Sequence, residues 1–408
     1  MAIPRGPRLL ARHDLVDDTH RALQVYCLSA PAEVLKGPLM TTARPDAFPF
    51  LRSEGTPFEV GRAHGAAFGE QIAGSLDLYR AQFAQVVGLD WSTALEMAEH
   101  AGENIRALDP YLADELDGIA AGAETDPRGV LAINVRTGLL RAREPGVPSE
   151  SDVECTTAAC LPEATADSHT LLAQNWDQRL RCQPNTVVIE QHIAGQPALL
   201  FLTEAGILFR HGMNDAGVGI AGNALRSNRE VSGTTGAPAP VARRRALRND
   251  HLEAAVKDII KTPRSHSANH LLADAVGAAI DIEAVPGEVY TLSPEVGVLV
   301  HSNHFLNTDA CAALVDRTPE LHPSTLFRDR RVRDALTSRR GEIVVGGVQE
   351  ALQDHHGYPD AVCKHAEDPD AEDASITVSS TVMDLTDRRM WIAPGPPCTG
   401  TYTEYAFS

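Results

Sequence analysis

Lysine is nearly missing from this 408-residue chain: Lys36, Lys257, Lys261 and Lys364 stand against a total of 36 Lys and Arg. With 55 Asp and Glu the formal charge is -19. Phosphate recognition needs clustered positive charge, so this balance disfavours nucleic acid and anionic membranes as partners. Long apolar runs are missing too. The longest, such as 198–202, are far too short to span a bilayer, and the amino-terminal arginines are not followed by the apolar stretch of a secretory signal. A soluble, cytoplasmic protein is the expectation. The seven cysteines, Cys27, Cys155, Cys160, Cys182, Cys311, Cys363 and Cys398, are odd in number and scattered. None forms a C-x-x-C pair, so neither a disulfide scaffold nor a standard zinc or redox motif is indicated. No glycine-rich phosphate loop follows a strand, and no internal repeat is present.

What is there changes character along the chain. Residues 1–45 mix Pro, Arg and Asp without a sustained period and read as an extension, with Met40 as an alternative start. From residue 59 to 79, Gly61, His64, Phe68, Ile72, Leu76 and Tyr79 recur at the spacing of an amphipathic helix. Further helices are predicted near 92–107 and 110–123, with Asp109-Pro110 and Asp126-Pro127 as breakers. After the polar stretch 144–154 the pattern shifts to short strand-like runs at 170–174, 186–192, 198–203 and 218–221. A helix is predicted near 248–260, strands at 269–273, 277–282 and 297–301, and a hairpin from 375–385 through Thr386-Asp387-Arg388 into 389–393. Everything from residue 46 reads as one α+β domain with two sheets.

Cys155 lies where the polar loop gives way to strand. If its thiol attacks the carbonyl of Glu154, an N-to-S acyl shift and hydrolysis leave Cys155 as a new chain start. Its free amine, with a reference pKa of about 7.7–8.0 against about 8.5 for the thiol, can then accept the thiol proton.

Glu154-Cys155-Thr156-Thr157-Ala158 followed by Gln174-Asn175-Trp176-Asp177 resembles the active-site segment of the acyl-coenzyme A:6-aminopenicillanate acyltransferase family of Ntn hydrolases. Residues 55–61 with His64-Gly65, then 134–137, 212–214, 301–305, Asp354-His355, Cys363-Lys364-His365 and 395–398 follow in the family's order. The resemblance implies an αββα sandwich of two stacked antiparallel sheets flanked by helices. It also implies self-cleavage into an α chain ending at Glu154 and a β chain from Cys155 to Ser408, the two remaining associated.

By the same resemblance Asn303 supplies a side-chain amide to the oxyanion, a contact worth about 2.7–4 kcal/mol in a known case. Asp177 is the carboxylate near the new amine, and Arg328 lies beside the cysteine with Ser324 in its segment; Asn223 resembles the position in the wider bile-salt-hydrolase-like group where a backbone donor or side chain completes the oxyanion site. For Arg328 a solvated basic helix face, shared with Arg330, Arg331 and Arg333, is the alternative reading. The family pattern often has Gly before the nucleophile; Glu154 stands there instead, and is expected either to slow cleavage or to assist it as a local base. His355, His356, Cys363 and His365 contain zinc-ligand types, but their spacing fits no standard zinc pattern and the resemblance implies metal-independent chemistry, so neither metal nor cofactor is predicted.

The expected reaction is hydrolysis of a small-molecule, non-peptide amide through an acyl-thioester on Cys155. Transfer from acyl-CoA or an amide to an amine is the alternative, and a non-catalytic binding protein on the same fold is a second. Homo-oligomerisation is left open.

Overall fold

The computed structural model describes residues 46–141 and 154–408, together with the backbone of Leu39–Thr41. The rest of the expected extension, and the polar loop at 142–153, lie outside the described residues. Leu39–Thr41 form β1, which pairs antiparallel with β2 (Phe50–Glu54).

Six helices follow: α1 (Pro57–Ala67), α2 (Gly69–Val87), α3 (Trp91–Leu108), α4 (Pro110–Gly122), α5 (Pro127–Asn134) and α6 (Arg136–Leu140). Three of them start by one device. Thr56, Asp109 and Asp126 each accept a backbone N–H of the first turn, from Glu59, Leu112 and Arg128, and each is followed by proline. The side-chain oxygen satisfies an orphan donor, while proline needs none at that position and is preset for helical φ. The expected breakers at 109–110 and 126–127 are therefore helix starts. The single helix expected over 59–79 is two, because the chain leaves helical geometry at buried Phe68 (φ -125, ψ 31) while the apolar spacing runs on through the break.

Helices α1 and α4 touch backbone to backbone. A Cβ on Gly61 or Gly65 would lie 2.1 Å from the Glu115 or Ile119 carbonyl oxygen, and one on Gly118 or Gly122 within 2.2 Å of Phe58 or Arg62. Only glycine fits at such an approach.

The remaining strands are β3 (Cys155–Cys160), β4 (Leu171–Arg179), β5 (Thr186–His192), β6 (Leu199–Glu204), β7 (His211–Asn214), β8 (Val218–Ala221), β9 (Ala268–Asp274), β10 (Ala279–Val285), β11 (Glu288–Leu292), β12 (Val298–His301), β13 (Ser375–Asp384), β14 (Arg389–Pro394) and β15 (Thr403–Ala406). One sheet runs β1-β2-β5-β6-β7-β8-β9-β10-β11 and the other β12-β3-β4-β13-β14-β15, antiparallel throughout except for the β2–β5 pair. Helices α7 (Ala239–Ala246) and α8 (Leu252–Lys261) interrupt the first sheet. Between β12 and β13 lie α9 (Thr308–Ala313), α10 (Thr318–Leu321), α11 (Thr325–Thr337) and α12 (Val345–Ala351).

Strand alternation sorts the core into layers. Val187, Ile189 and Phe201 pack against Phe83, Ile105, Leu116 and Ile133 of the first helices. Their neighbours Val188, Leu200 and Leu202 point the other way, onto Trp176, Val378, Met383 and Ile392 of the second sheet. That sheet's far face, with Ala158, Val300 and Val382, is covered by Val332, Leu336, Val348 and Leu352. Each large apolar side chain buried this way contributes about 1.5–3 kcal/mol. The result is helix, sheet, sheet, helix. Within β3 the same period of two turns Cys155 and Ala159 between the sheets and Ala158 and Cys160 toward α11 and α12.

Candidate active site

Cys155 is the first residue of β3, buried and paired with Trp176 of β4. Its peptide bond to Glu154 is held from both sides. The Glu154 carbonyl oxygen accepts the Asp177 N–H at 3.1 Å. The Cys155 N–H donates to Asn303 Oδ1 at 2.7 Å, and the Cys155 carbonyl accepts from Arg328 Nη1 at 2.6 Å.

Asn303 follows β12, so the β12–β3 pairing carries it to the cysteine. Arg328 Nη2 also donates to Asn303 Oδ1, at 2.9 Å. Two donors on one atom identify it as the oxygen, and the amide nitrogen faces the other way, donating to the Ala224 carbonyl at 3.0 Å.

Arg328 comes from the first turns of α11 and is buried. Besides Cys155 and Asn303 it reaches Thr156 Oγ1 (3.0 Å), Glu154 Oε1 (3.3 Å) and Ser324 Oγ (3.3 Å). The helix turns its neighbours elsewhere: Arg330 meets Asp334, Arg331 meets Asp354, and Arg333 meets Asp329.

The Glu154 carboxylate is buried and accepts from Ser324 (2.9 Å), Arg328 and Lys364. Burial pushes its pKa up, but the charges of Arg328, Lys364 and His322 outweigh that and hold it at about 2. A carboxylate so fully occupied is a poor proton acceptor. In the folded chain the Glu154 side chain is ion-paired on both sides and anchors the segment that precedes Cys155.

Asp177 stands opposite. Burial raises its pKa to about 7, against the lowering effects of Arg328 and of the 2.6 Å hydrogen bond from Thr377 Oγ1 to Oδ1. Its Oδ2 is buried without a hydrogen-bond partner among the described residues. Burial, and then the Asp177 charge, push the Cys155 thiol up to about 12. In the continuous chain the thiol is therefore protonated at neutral pH.

Asn223 ends the run after β8 and faces the same cavity as Cys155. Its Nδ2 donates to Thr157 Oγ1 (3.0 Å) and Asn269 Oδ1 (3.2 Å), and Asn269 in turn donates to Asp281. Cys155, Asp177, Asn303, Arg328 and Asn223 are thus brought into one neighbourhood.

Sequence reasoning passed over several groups here. Lys364 was noted only as part of a motif, although it completes the Glu154 cage. Arg210 stacks 4.2 Å over the Trp176 ring and pairs with buried Glu204, which also accepts from Tyr79 Oη at 2.7 Å. Arg243 of α7 lines the cavity and donates to His270 Nδ1 (3.2 Å) and to the Arg210 and Asn269 carbonyls (3.3 and 3.0 Å). No carboxylate pairs with Arg243 among the described residues. Burial lowers its pKa to about 10, so it remains a cation at neutral pH. The local signal was its place in the triple Arg243-Arg244-Arg245, where one helix presents consecutive charges to three different directions.

Two stacked sheets with outer helices, and a cysteine opening a central strand between them, define an Ntn-hydrolase-type αββα sandwich. The chain belongs to the acyl-coenzyme A:6-aminopenicillanic acid acyl-transferase family, whose profile matches residues 164–398. That span takes in Asp177, Asn223, Asn303 and Arg328 and begins just after Cys155. Over 358 residues the chain is 26% identical to the acyl-coenzyme A:6-aminopenicillanic-acid-acyltransferase 40 kDa form of Emericella nidulans, covering 84% of this chain and 92% of that one. Among solved structures, a variant of the conjugated bile acid hydrolase of Clostridium perfringens aligns over 62% of this chain and 97% of its own, at 15% identity and a TM-score of 0.40. Penicillin V acylase of Agrobacterium tumefaciens aligns over 61% and 84%, at 14% identity and 0.41. No helix among the described residues is long and apolar enough to cross a membrane.

Proposed function

We propose that this chain is a cysteine amidohydrolase that matures by cutting itself between Glu154 and Cys155. The observation that carries the reading is the two-sided hold on that peptide: Asp177 N–H on the Glu154 oxygen, Asn303 Oδ1 on the Cys155 nitrogen. In self-cleavage the thiol adds to the Glu154 carbonyl, whose oxygen gains negative charge against the Asp177 N–H. The C–N bond breaks as the nitrogen takes a proton, leaving a thioester. Water then hydrolyses the thioester to a Glu154 carboxylate and a free Cys155 thiol. Asp177, with its pKa near neutrality and an open Oδ2, is the acceptor for the thiol proton. The new amine keeps Asn303 Oδ1 as its partner and serves as base in turnover.

In turnover the thiol attacks a small-molecule amide in the adjoining cavity, an acyl-thioester forms, and water releases the acid. The relative's name favours an amine acceptor and an acyl-CoA donor as the alternative. The guanidinium of Arg243 on the cavity wall, which has no carboxylate counter-ion among the described residues, favours a substrate that carries a carboxylate or comparable anion, since a buried cation gains most from an opposite charge. Both chains stay associated after the cut, because the layer between the first helices and the first sheet, with Phe83, Ile105 and Ile133 against Val187, Ile189 and Phe201, spans it.

Denaturing electrophoresis and amino-terminal sequencing test the first step. Fragments of about 17 and 28 kDa, from about 110 Da per residue, with the larger one beginning at Cys155, are expected, and Cys155→Ala should leave one full-length band. A wild-type chain that stays whole while turning over amides would overturn the maturation step. A whole chain without turnover would favour a binding protein on this fold.

A further inference from the structure

Away from the cavity, three side chains of the loop between α12 and β13 and one from beyond β14 converge on one point. His355, Cys363, His365 and Cys398 each bring one ligand-type atom into a group in which all lie within 4.8 Å of one another. His365 Nε2 lies 3.1 Å from His355 Nε2, 3.5 Å from Cys363 Sγ and 3.4 Å from Cys398 Sγ. A neutral imidazole nitrogen can hold one hydrogen, so hydrogen bonding does not account for three neighbours at these separations. A tetrahedral cation does. With metal–nitrogen bonds of about 2.05 Å and metal–sulfur bonds of about 2.3 Å, ligand atoms stand about 3.3 Å apart for two nitrogens and about 3.5 Å for nitrogen and sulfur.

We propose that these four residues bind one zinc ion in a closed, structural site. Two thiolates and two imidazoles are a zinc donor set, and with all four positions taken by protein no open position is left for catalysis. Binding displaces the two thiol protons. The set differs from the one weighed on sequence, for Cys398 takes the place of His356, whose ring packs instead on Phe327.

The site has a structural task. Residues 352–374 form a long connection without helix or strand, and such loops in compact domains need tethers. Asn175 of β4 holds the Leu352 and Val362 carbonyls at 2.9 and 2.8 Å. Beyond β14 the chain turns at Gly395, whose φ of +76° suits glycine, and brings Cys398 back over the loop. Zinc would staple these pieces together. Lys364 sits between two of the ligands. Its ammonium caps Glu154, its N–H donates to Thr377 Oγ1 at 2.9 Å, and that hydroxyl donates to Asp177. The staple therefore fixes the residue that bridges the scissile segment and Asp177.

Metal analysis of untagged chain purified without chelator tests this independently of any activity. About one zinc per chain is expected, falling at least tenfold in Cys398→Ser and His355→Ala. Chain stripped by chelator and given cobalt should show the thiolate-to-cobalt band and the intense visible absorption of a tetrahedral site, a readout that needs no variant to fold. Wild-type chain without metal that also gives no cobalt spectrum overturns the proposal, as does a Cys363–Cys398 disulfide in freshly purified protein. Retained zinc with failed self-cleavage would count against the maturation step alone.

Discussion

Asn303 turns its oxygen, not its nitrogen, toward Cys155: Oδ1 lies 2.7 Å from the Cys155 nitrogen while Nδ2 faces the Ala224 carbonyl. The resemblance implied an amide donor to an oxyanion, yet in the continuous chain this end of Asn303 is an acceptor shared by Cys155 and Arg328. Asn303→Ala leaves both donors buried without it. An unsatisfied buried donor costs about 1–3 kcal/mol, so self-cleavage should slow roughly 10- to 100-fold. A time course of fragment appearance after refolding reads this, and an unchanged rate would remove Asn303 from the maturation step.

With Asp177 as the proposed acceptor of the thiol proton, its carboxyl sets the expected pH dependence of self-cleavage. Burial raises its pKa from 3.8 to about 7, so the proton-accepting form predominates only above that value. Cleavage of the precursor should rise from pH 6 to 8, with its half-maximum near 7, and level off above. Asp177→Asn, which cannot take a proton, should leave the precursor whole. A rate that climbs steadily past pH 9 instead would point to thiol ionisation as the controlling event.

How much of this was legible in the sequence follows from how local each signal is. Thr56-Pro57, Asp109-Pro110 and Asp126-Pro127 are local start signals, because capping involves residues two or three apart, yet the last two were read only as breakers and α5 was not expected. The break at Phe68 is silent, since the apolar faces of α1 and α2 continue each other in sequence. Helix α7 was missed because Arg243, Arg244 and Arg245 spoil an amphipathic pattern. In the fold Arg244 reaches Glu115 and Gln191 while Arg245 reaches Asp109, partners far away in sequence. The second sheet's order depends on pairings across more than a hundred residues, as of β12 with β3. At the site, the position of Cys155 at a loop-to-strand junction was readable, and the family resemblance carried Asp177, Asn303 and Arg328. The Lys364–Glu154 contact and the role of Cys398 were not, because both depend on how the loop after α12 folds back.

Glu154 links the maturation site to acid stability. Its pKa falls from 4.5 to about 2 in the folded chain, because the cations around it outweigh the burial that would raise it. A depressed carboxyl stabilises the fold above its unfolded pKa and loses that contribution as pH drops through the folded one. In a Cys155→Ala background, which keeps the chain whole, Glu154→Gln should lower the melting temperature at pH 6. The gap should narrow from pH 4.5 downward and close near pH 2. The contribution at neutral pH is on the order of 3 kcal/mol. A gap independent of pH would mean that shape, not charge, is what Glu154 provides.

In the proposed reaction Arg243 is the residue that separates charged from neutral substrates. It remains protonated near neutrality although burial lowers its pKa to about 10, and among the described residues its hydrogen bonds go to an imidazole nitrogen and two carbonyls and to no carboxylate. A substrate anion on the cavity side would gain a hydrogen bond to a charged group, worth about 1.5–3 kcal/mol. Arg243→Gln keeps polar contacts and removes the charge. Its kcat/KM for amides bearing a carboxylate should fall about 10- to 150-fold, by that same energy, while uncharged amides of equal size change little. If acidic and neutral amides lose equally, Arg243 supports the walls of the cavity, and the substrate's charge is read elsewhere.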